Sequence, residues 1–327
     1  MKTLRLIGMA LFAVLMCVNF ASCSNDDSVE PNNSQNPKEY MVSLGFSGEI
    51  NVSESPLSRA ETEENNDLYG FVIYSCPNVE GQTKYTKYAY GLFDDVSSVN
   101  IKLLDGYKYK FTSTMIVNGK KIVPIVGNEY KWPFLMRLTN SFTYSSASNL
   151  IHCEGGQIGN PGYYRAEADR YYGKLIDFIP SDENNAAVLY MKRIVFGAKF
   201  IAENLNEGQL TISMEDAPIV CLTPEISTSD KIYTLSGVEK AFDTDDYFEE
   251  IPTVINWKKA DGVIVPLGEH KINFKRNKLT TITIKVADIT SDNNVSVELE
   301  DEEMGEGDDI TIENGKIVDT NIGTETE

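Results

Sequence analysis

The hydrophobic pattern along this chain has a period of two. "YMVSLGFSGEINV" (40–52) places Val42, Leu44 and Phe46 on one side of an extended chain and Ser43, Gly45 and Ser47 on the other, the spacing of a half-buried strand. "LYGFVIYS" (68–75) is a continuous apolar, β-branched and aromatic run of strand length. "GYKYKFTSTMIV" (106–117) alternates aromatic residues with lysines and ends at Asn118-Gly119, after which "KKIVPIV" begins. An Asn-Gly pair between two such runs predicts a hairpin. From about 127 to 170 the pattern weakens. "GGQIGNPG" (155–162) reads as a loop, and "YYRAEADRYYGKL" (163–175) as a short helix or an irregular crossing.

Regular strands resume with "VLYMKRIVFGAKFIAE" (188–203) and continue through "GQLTISME", "KIYTL", "PTVINW", "GVIVPLG", "HKINFKR" and "KLTTITIKVAD". Turn residues recur every eight to twelve positions, as in sandwiches and barrels, and long segments of helical period are absent. The expected class is all-β, in two tandem β-sandwich domains over 40–183 and 184–290, with the junction near "PSDENNAA" (180–187). Beyond 290 lies an acidic tail, 291–327. Its "ELEDEEMGEGDD" run is a solvated, exposed segment on this reading. "ITIENGKIVDT" after it regains strand character around Asn314-Gly315, although a lone hairpin is marginal in water.

The N-terminus decides the compartment. Lys2 and Arg5 precede an apolar run from Leu6 to Phe20, broken only by Gly8 and Asn19, and Ala21 and Ser22 then lead to Cys23. This is the layout of a secretory signal, residues 1–22. Its apolar run, about 15 residues, is shorter than the ~20 a spanning helix needs. Small residues followed by cysteine resemble a bacterial lipobox, with Phe20 where that pattern prefers leucine; the resemblance implies cleavage before Cys23 and acylation of its thiol. Residues 23–39, "CSNDDSVEPNNSQNPKE", are too polar to fold alone and read as a tether. Asp26 and Asp27 within it are similar to the surface-export signal of lipoproteins in Bacteroidetes-type Gram-negatives.

Charge narrows the partners. The net charge of −20 becomes −22 once Lys2 and Arg5 are removed, which argues against nucleic acid and anionic lipid. Cys76, Cys153 and Cys221 are odd in number and widely spaced, so they describe neither a disulfide framework nor a zinc site. His152 and Cys153 are adjacent, but neighbours in a strand face opposite ways, and His270 has no identifiable nucleophile and acid beside it. "DTDDYFEE" (243–250) could offer carboxylates to calcium but lacks the glycine and spacing of an EF-hand loop. No catalytic constellation or cofactor motif emerges, so no enzyme activity and no cofactor are expected.

Several pieces occur together in an order that resembles the fimbrillin-like proteins, precursors of type V pili and related lipoproteins of Bacteroidales. They are a lipobox, a tether, a first alternating strand, "SRA" in a polar loop and the aromatic strand "LYGFVIY". "EADRYYGKLIDF" ahead of "AAVLYMKRIVFGAKFIAE", with Arg193 at its centre, resembles that family's passage between domains, and Arg276-Asn277 in "HKINFKRNKLTTITIKV" its late turn. The resemblance implies two transthyretin-like domains and a surface lipoprotein of the outer membrane serving as pilus subunit, anchor or accessory adhesin. It also implies assembly by strand exchange: a protease cuts between Arg59 and Ala60, the strand at 40–52 leaves as an edge strand, and a strand from another subunit or a second copy replaces it. The acidic run after 290 departs from a major shaft subunit. The competing expectation is a glycan-binding lipoprotein of a polysaccharide-uptake system, using Trp132, Trp257, Tyr85, Tyr88 and Tyr90 as sugar platforms.

Overall fold

The structure, a computed structural model, describes residues 37–50, 65–146, 151–286, 295–300, 309–313 and 316–321, the last three segments as backbone. Strands dominate the described residues, as the period of two requires. The first half of the chain forms β1 (Glu39–Gly48), β2 (Leu68–Pro77), β3 (Thr86–Phe93), β4 (Asn100–Leu104) and β5 (Tyr107–Ile116). A short helix α1 (Gly119–Ile122) and the two-residue strands β6 (Ile125–Val126), β7 (Glu129–Tyr130), β8 (Thr143–Tyr144), β9 (Ile158–Gly159) and β10 (Gly162–Tyr163) follow. The strands β11 (Arg170–Phe178) and β12 (Ala186–Arg193) complete it.

Eight of these strands make one sheet in the order β4-β1-β12-β11-β5-β2-β3-β8. It rolls until its ends meet. On β4, Lys102 donates its N–H to the Tyr144 hydroxyl of β8 (2.9 Å), and the Tyr88 hydroxyl of β3 donates to the Lys102 carbonyl (2.9 Å). Leu104 N–H adds a bond to the Tyr109 hydroxyl at 2.7 Å. Tyrosine hydroxyls thus satisfy backbone groups on the outer edge of β4 where a neighbouring strand would otherwise stand. Inside the roll Val42, Leu44, Phe71, Ile101, Phe111 and Leu189 pack into one core.

β2 explains its own unbroken apolar run, because it is buried on both faces. Phe71 and Ile73 point into the roll, while Leu68 and Val72 lie under the 119–168 segment with Phe134, Ile151 and Cys153. Gly70 lets that segment approach: a Cβ there would stand 2.9 Å from the Phe134 ring and 3.0 Å from Ile151. The hairpin expected at Asn118-Gly119 does not form. Both edges of β5 are already paired, with β2 and β11. Asn118 instead turns the chain at φ 54° into α1, its N–H bound to the Asp67 carboxylate at 2.9 Å. Nor is 163–175 helical; from Arg170 onward it is strand β11.

The junction expected at 183/184 falls in the loop of the β11–β12 hairpin. "VLYMKRIVFGAKFIAE" breaks at Ile194, and the two pieces enter different sheets. The second half comprises β13 (Val195–Glu203), β14 (Gln209–Met214), β15 (Val220–Leu222), β16 (Thr228–Thr234), helix α2 (Val238–Asp243), β17 (Phe248–Lys258), β18 (Ile264–Lys275) and β19 (Leu279–Val286). "GVIVPLG" and "HKINFKR" are one strand, β18, accommodated by a register shift opposite Ile255 and Asn256. The sheet β15-β14-β17-β18 shares a core with β13 and β19: Ile212, Ile255, Ile272 and Phe274 meet Phe196, Phe200 and Ile282, a β-sandwich.

The tail after 290 is not all solvated loop. Strands β20 (Val295–Glu300), β21 (Asp309–Glu313) and β22 (Lys316–Asn321) extend the second sheet in the order β16-β13-β19-β20-β21-β22. β20 pairs along the length of β19, from Val286↔Val295 to Thr281↔Glu300. Pairing overrides the acidic composition there; 301–308 lie outside the described residues.

Candidate functional site

β1 is the element around which the functional expectation turned, and it is not an edge strand. It runs parallel to β12, from Ser43↔Ala186 to Gly48↔Met191, and antiparallel to β4, from Glu39↔Leu104 to Ser43↔Asn100. Val42 is fully buried and Leu44 nearly so, while the Phe46 ring stacks on Tyr69 and Phe71 at 5.9 and 5.7 Å. Its occupied slot therefore has hydrogen-bonding walls on both sides and an aromatic floor. Taking β1 away would leave two rows of backbone groups unpaired, a stronger template for another strand than one bare edge.

A polar clamp closes the end of the slot. At Gly48 the backbone adopts φ +97°, and a Cβ there would stand 2.5 Å from the Met191 carbonyl, so the position demands glycine. Glu49 then donates its N–H to that carbonyl at 2.8 Å. Its carboxylate accepts the Arg193 N–H at 2.8 Å and takes Arg276 Nη1 at 2.9 and 2.8 Å. Arg276 Nη1 also reaches the Arg193 carbonyl at 3.1 Å. The Arg193 guanidinium forks onto Asp169, Nε to Oδ1 and Nη2 to Oδ2, both at 2.8 Å, and Nη1 bonds the Asn277 amide oxygen at 3.3 Å. Burial would lower the Arg193 pKa, but the Asp169 carboxylate outweighs it and the net shift is upward. Asn277 holds φ 56° in the β18–β19 turn, and its N–H binds the Val195 carbonyl.

Arg193 and Arg276-Asn277, singled out in the sequence as separate motifs, thus meet at one node. Asp169, within the quoted "EADRYYGKLIDF", joins them. Glu49 was missed, since a lone acid at a strand end carries no local signal. Cys23, Arg59 and Ala60, the candidate lipidation and cleavage residues, lie outside the described residues.

Two buried arginines also escaped the sequence reading. Arg170 is 1% exposed and, among the described residues, reaches no carboxylate by hydrogen bond or ion pair. Its Nε donates to the Thr114 hydroxyl, and Nη2 to the carbonyls of His152, Cys153 and Gly155 at 2.8–3.0 Å. Burial pushes its pKa down to about 10. Arg165 pairs with Glu249 at 3.0 Å beside a groove of about 530 Å³. Glu249 is occupied further by the Ser236 and Tyr247 hydroxyls and the Gly237 N–H.

The remaining candidates are drawn into structure. The Cys153 thiol is buried against the Gly70 and Thr112 carbonyls, with its pKa pushed far up by burial. His152 packs on the Trp132 ring at 4.4 Å. His270 is buried, 3.3 Å from the Leu267 carbonyl. Four of the five acids in 243–250 are paired with cations: Asp243 with Lys174, Asp245 with Lys192, Glu249 with Arg165 and Glu250 with Lys271. Of the aromatic residues, Trp257 is buried with its indole N–H on the Glu207 carbonyl, and Tyr85 bonds Asp177. Tyr88 belongs to the sheet seam, Tyr90 packs on the core, and Trp132 is 38% exposed.

No family model and no curated protein matches the chain. Solved structures that align with it include the tip fimbrial protein Mfa3 from Porphyromonas gingivalis with a C-terminal truncation (10% identity, 82% of this chain and 99% of that one, TM-score 0.32). The fimbrial anchor protein Mfa2 from the same organism aligns at 11% identity over 86% and 99%, TM-score 0.35. A Bacteroides thetaiotaomicron protein provisionally named for polysaccharide binding aligns at 9% identity over 81% and 98%, TM-score 0.38.

Proposed function

We propose that this chain is a non-enzymatic, fimbrillin-like lipoprotein of the cell surface, a pilus subunit, anchor or accessory adhesin. In this reading Cys23 carries the lipid that holds it to the outer membrane. Cleavage between Arg59 and Ala60 frees β1, and a strand from another subunit or a second copy takes its place. The observation that carries the reading is the position of β1. It precedes the candidate cut in sequence, yet sits inside the sheet between β4 and β12. After such a cut only non-covalent contacts would retain it. The order of the resembling motifs and the meeting of Asp169, Arg193, Arg276 and Asn277 at the end of β1 support the same reading. The chain would then consist of two domains, changing over at Ile194. Glycan binding is the lesser reading, since of its five candidate residues Trp257 is buried, Tyr85 is bonded to Asp177 and Tyr88 to the Lys102 carbonyl.

The test is the N-terminus of the mature surface protein, together with acylation. Wild type should incorporate labelled fatty acid and Cys23→Ala should not, and protein in shear-released fibres should begin at Ala60. Acylation of Cys23→Ala would overturn the anchor. An assembled form beginning at Cys23 would overturn maturation by cleavage.

A further inference from the structure

The clamp at the end of β1 makes a demand on whatever occupies the slot. We infer, resting on the strand-exchange reading above, that the incoming strand must carry a carboxylate at the register of Glu49, directly after a glycine at the register of Gly48. It would run in the direction of β1.

The case rests on what Glu49 satisfies. The Arg276 side chain is only 9% exposed, and among the described residues Glu49 is the one carboxylate in ion-pair contact with it, Asp245 acting on it only at longer range. Its Nε is buried with no hydrogen-bond partner among the described residues, so the guanidinium already lacks one bond. The Arg193 N–H, at the changeover between the sheets, is likewise bound by Glu49. A strand that filled the slot with apolar side chains alone would leave a buried cation and a backbone donor unanswered, which is costly in a poorly solvated site. Asp169 does not substitute, because its two oxygens are held by the Arg193 fork. The preceding position admits no side chain, given φ +97° and the Met191 carbonyl 2.5 Å from a Cβ. Upstream, the places of Val42, Leu44 and Phe46 require apolar residues, the last one flat enough to stack on Tyr69 and Phe71. The expected partner strand therefore reads apolar-x-apolar-x-aromatic-x-Gly-acid. Shape selects its first part and the two arginines its last.

The test uses the full chain nicked with trypsin and a fluorescent peptide of sequence YMVSLGFSGE, added in excess to displace β1. Peptides ending in Gln, or with Ala in place of the second glycine, are compared with it. The Glu peptide should exchange in, the Gln peptide should bind about 30-fold more weakly, the loss typical of charge-assisted bonds, and the Ala peptide should fail. The Glu-over-Gln preference should collapse on an Arg276→Gln chain. Equal binding of Glu and Gln peptides would overturn the carboxylate demand and leave strand exchange standing. No binding by any peptide would overturn both. A preference that persists in Arg276→Gln would show that the arginine is not its source, and would also overturn the proposal.

Discussion

Arg193→Ala tests whether the node holds the two halves of the structure as the geometry requires. The substitution removes two 2.8 Å bonds to Asp169 and the 3.3 Å bond to Asn277. It leaves the backbone N–H on Glu49 in place. Arg193 and Asp169 are about one-fifth exposed, so their ion pair is neither screened like a surface pair nor fully dry. Charge-assisted bonds contribute about 1.5–3 kcal/mol each, and the exposed part of Asp169 recovers some hydration. A net loss of about 3 kcal/mol follows, equivalent to a fall in Tm of about 6 °C for a chain of this size. The assay is thermal unfolding followed by circular dichroism, with amide exchange read at the β12–β13 changeover and the β18–β19 turn. Exchange should rise at both. Lys38→Ala is the control: its 2.6 Å pair with Asp182 is 52% and 79% exposed, and its loss should leave Tm nearly unchanged. If Arg193→Ala melts like that control and exchange at the turn is unaltered, the node does not join the sheets.

Further outcomes can be checked on the purified chain. Tyr88→Phe with Tyr144→Phe frees the Lys102 N–H and carbonyl on the outer edge of β4. It should cost about 2 kcal/mol and promote concentration-dependent association in sedimentation, which an unchanged monomer would refute. Arg170→Met leaves the His152, Cys153 and Gly155 carbonyls without their shared donor. It should loosen 151–168 and expose the Cys153 thiol to a maleimide that wild type resists; equal resistance would refute that role. At Asp94 burial would raise the pKa, but Lys120 and Asn140 outweigh it and the carboxyl is held below its ordinary 3.8. A depressed pKa contributes stability above the unfolded value and loses it as pH falls through the folded one. The Tm gap between wild type and Asp94→Asn should therefore be full at pH 6 and shrink below about pH 4; a gap independent of pH would refute the ion pair.

The strands were legible because alternation is a local property: β1, β5, β14 and β19 lie where period two places them. Legibility ended where partners decide. Asn118-Gly119 has the chemistry of a hairpin, but β5 has no free edge for the returning strand, so the pair opens a helix instead. β11 was obscured because it begins with Arg170, and a charged residue reads as surface unless its carbonyl acceptors, fifteen to eighteen residues away, are known. The break at Ile194 is silent in sequence, since strands on either side share one apolar pattern. Arg193 and Arg276 were visible as motifs, but their meeting is a contact over 83 residues, and Glu49 joins it across 227. The structure does not assemble His152 and Cys153 as a nucleophile and base. The reason differs from alternation in a strand: the thiol is sealed under β2 and the ring packs at a tilt on Trp132.

The central proposal is that β1 is an exchangeable strand released by a cut at Arg59. Brief trypsin treatment of the native chain, followed by N-terminal sequencing and native mass spectrometry with an excess of labelled β1 peptide, tests it most directly. The account predicts that the first new N-terminus is Ala60, that the piece ending at Arg59 stays bound until the peptide is added, and that one labelled strand then replaces it per molecule. A first product that starts elsewhere, or a chain nicked at Arg59 that keeps its own strand at every peptide concentration, would contradict it.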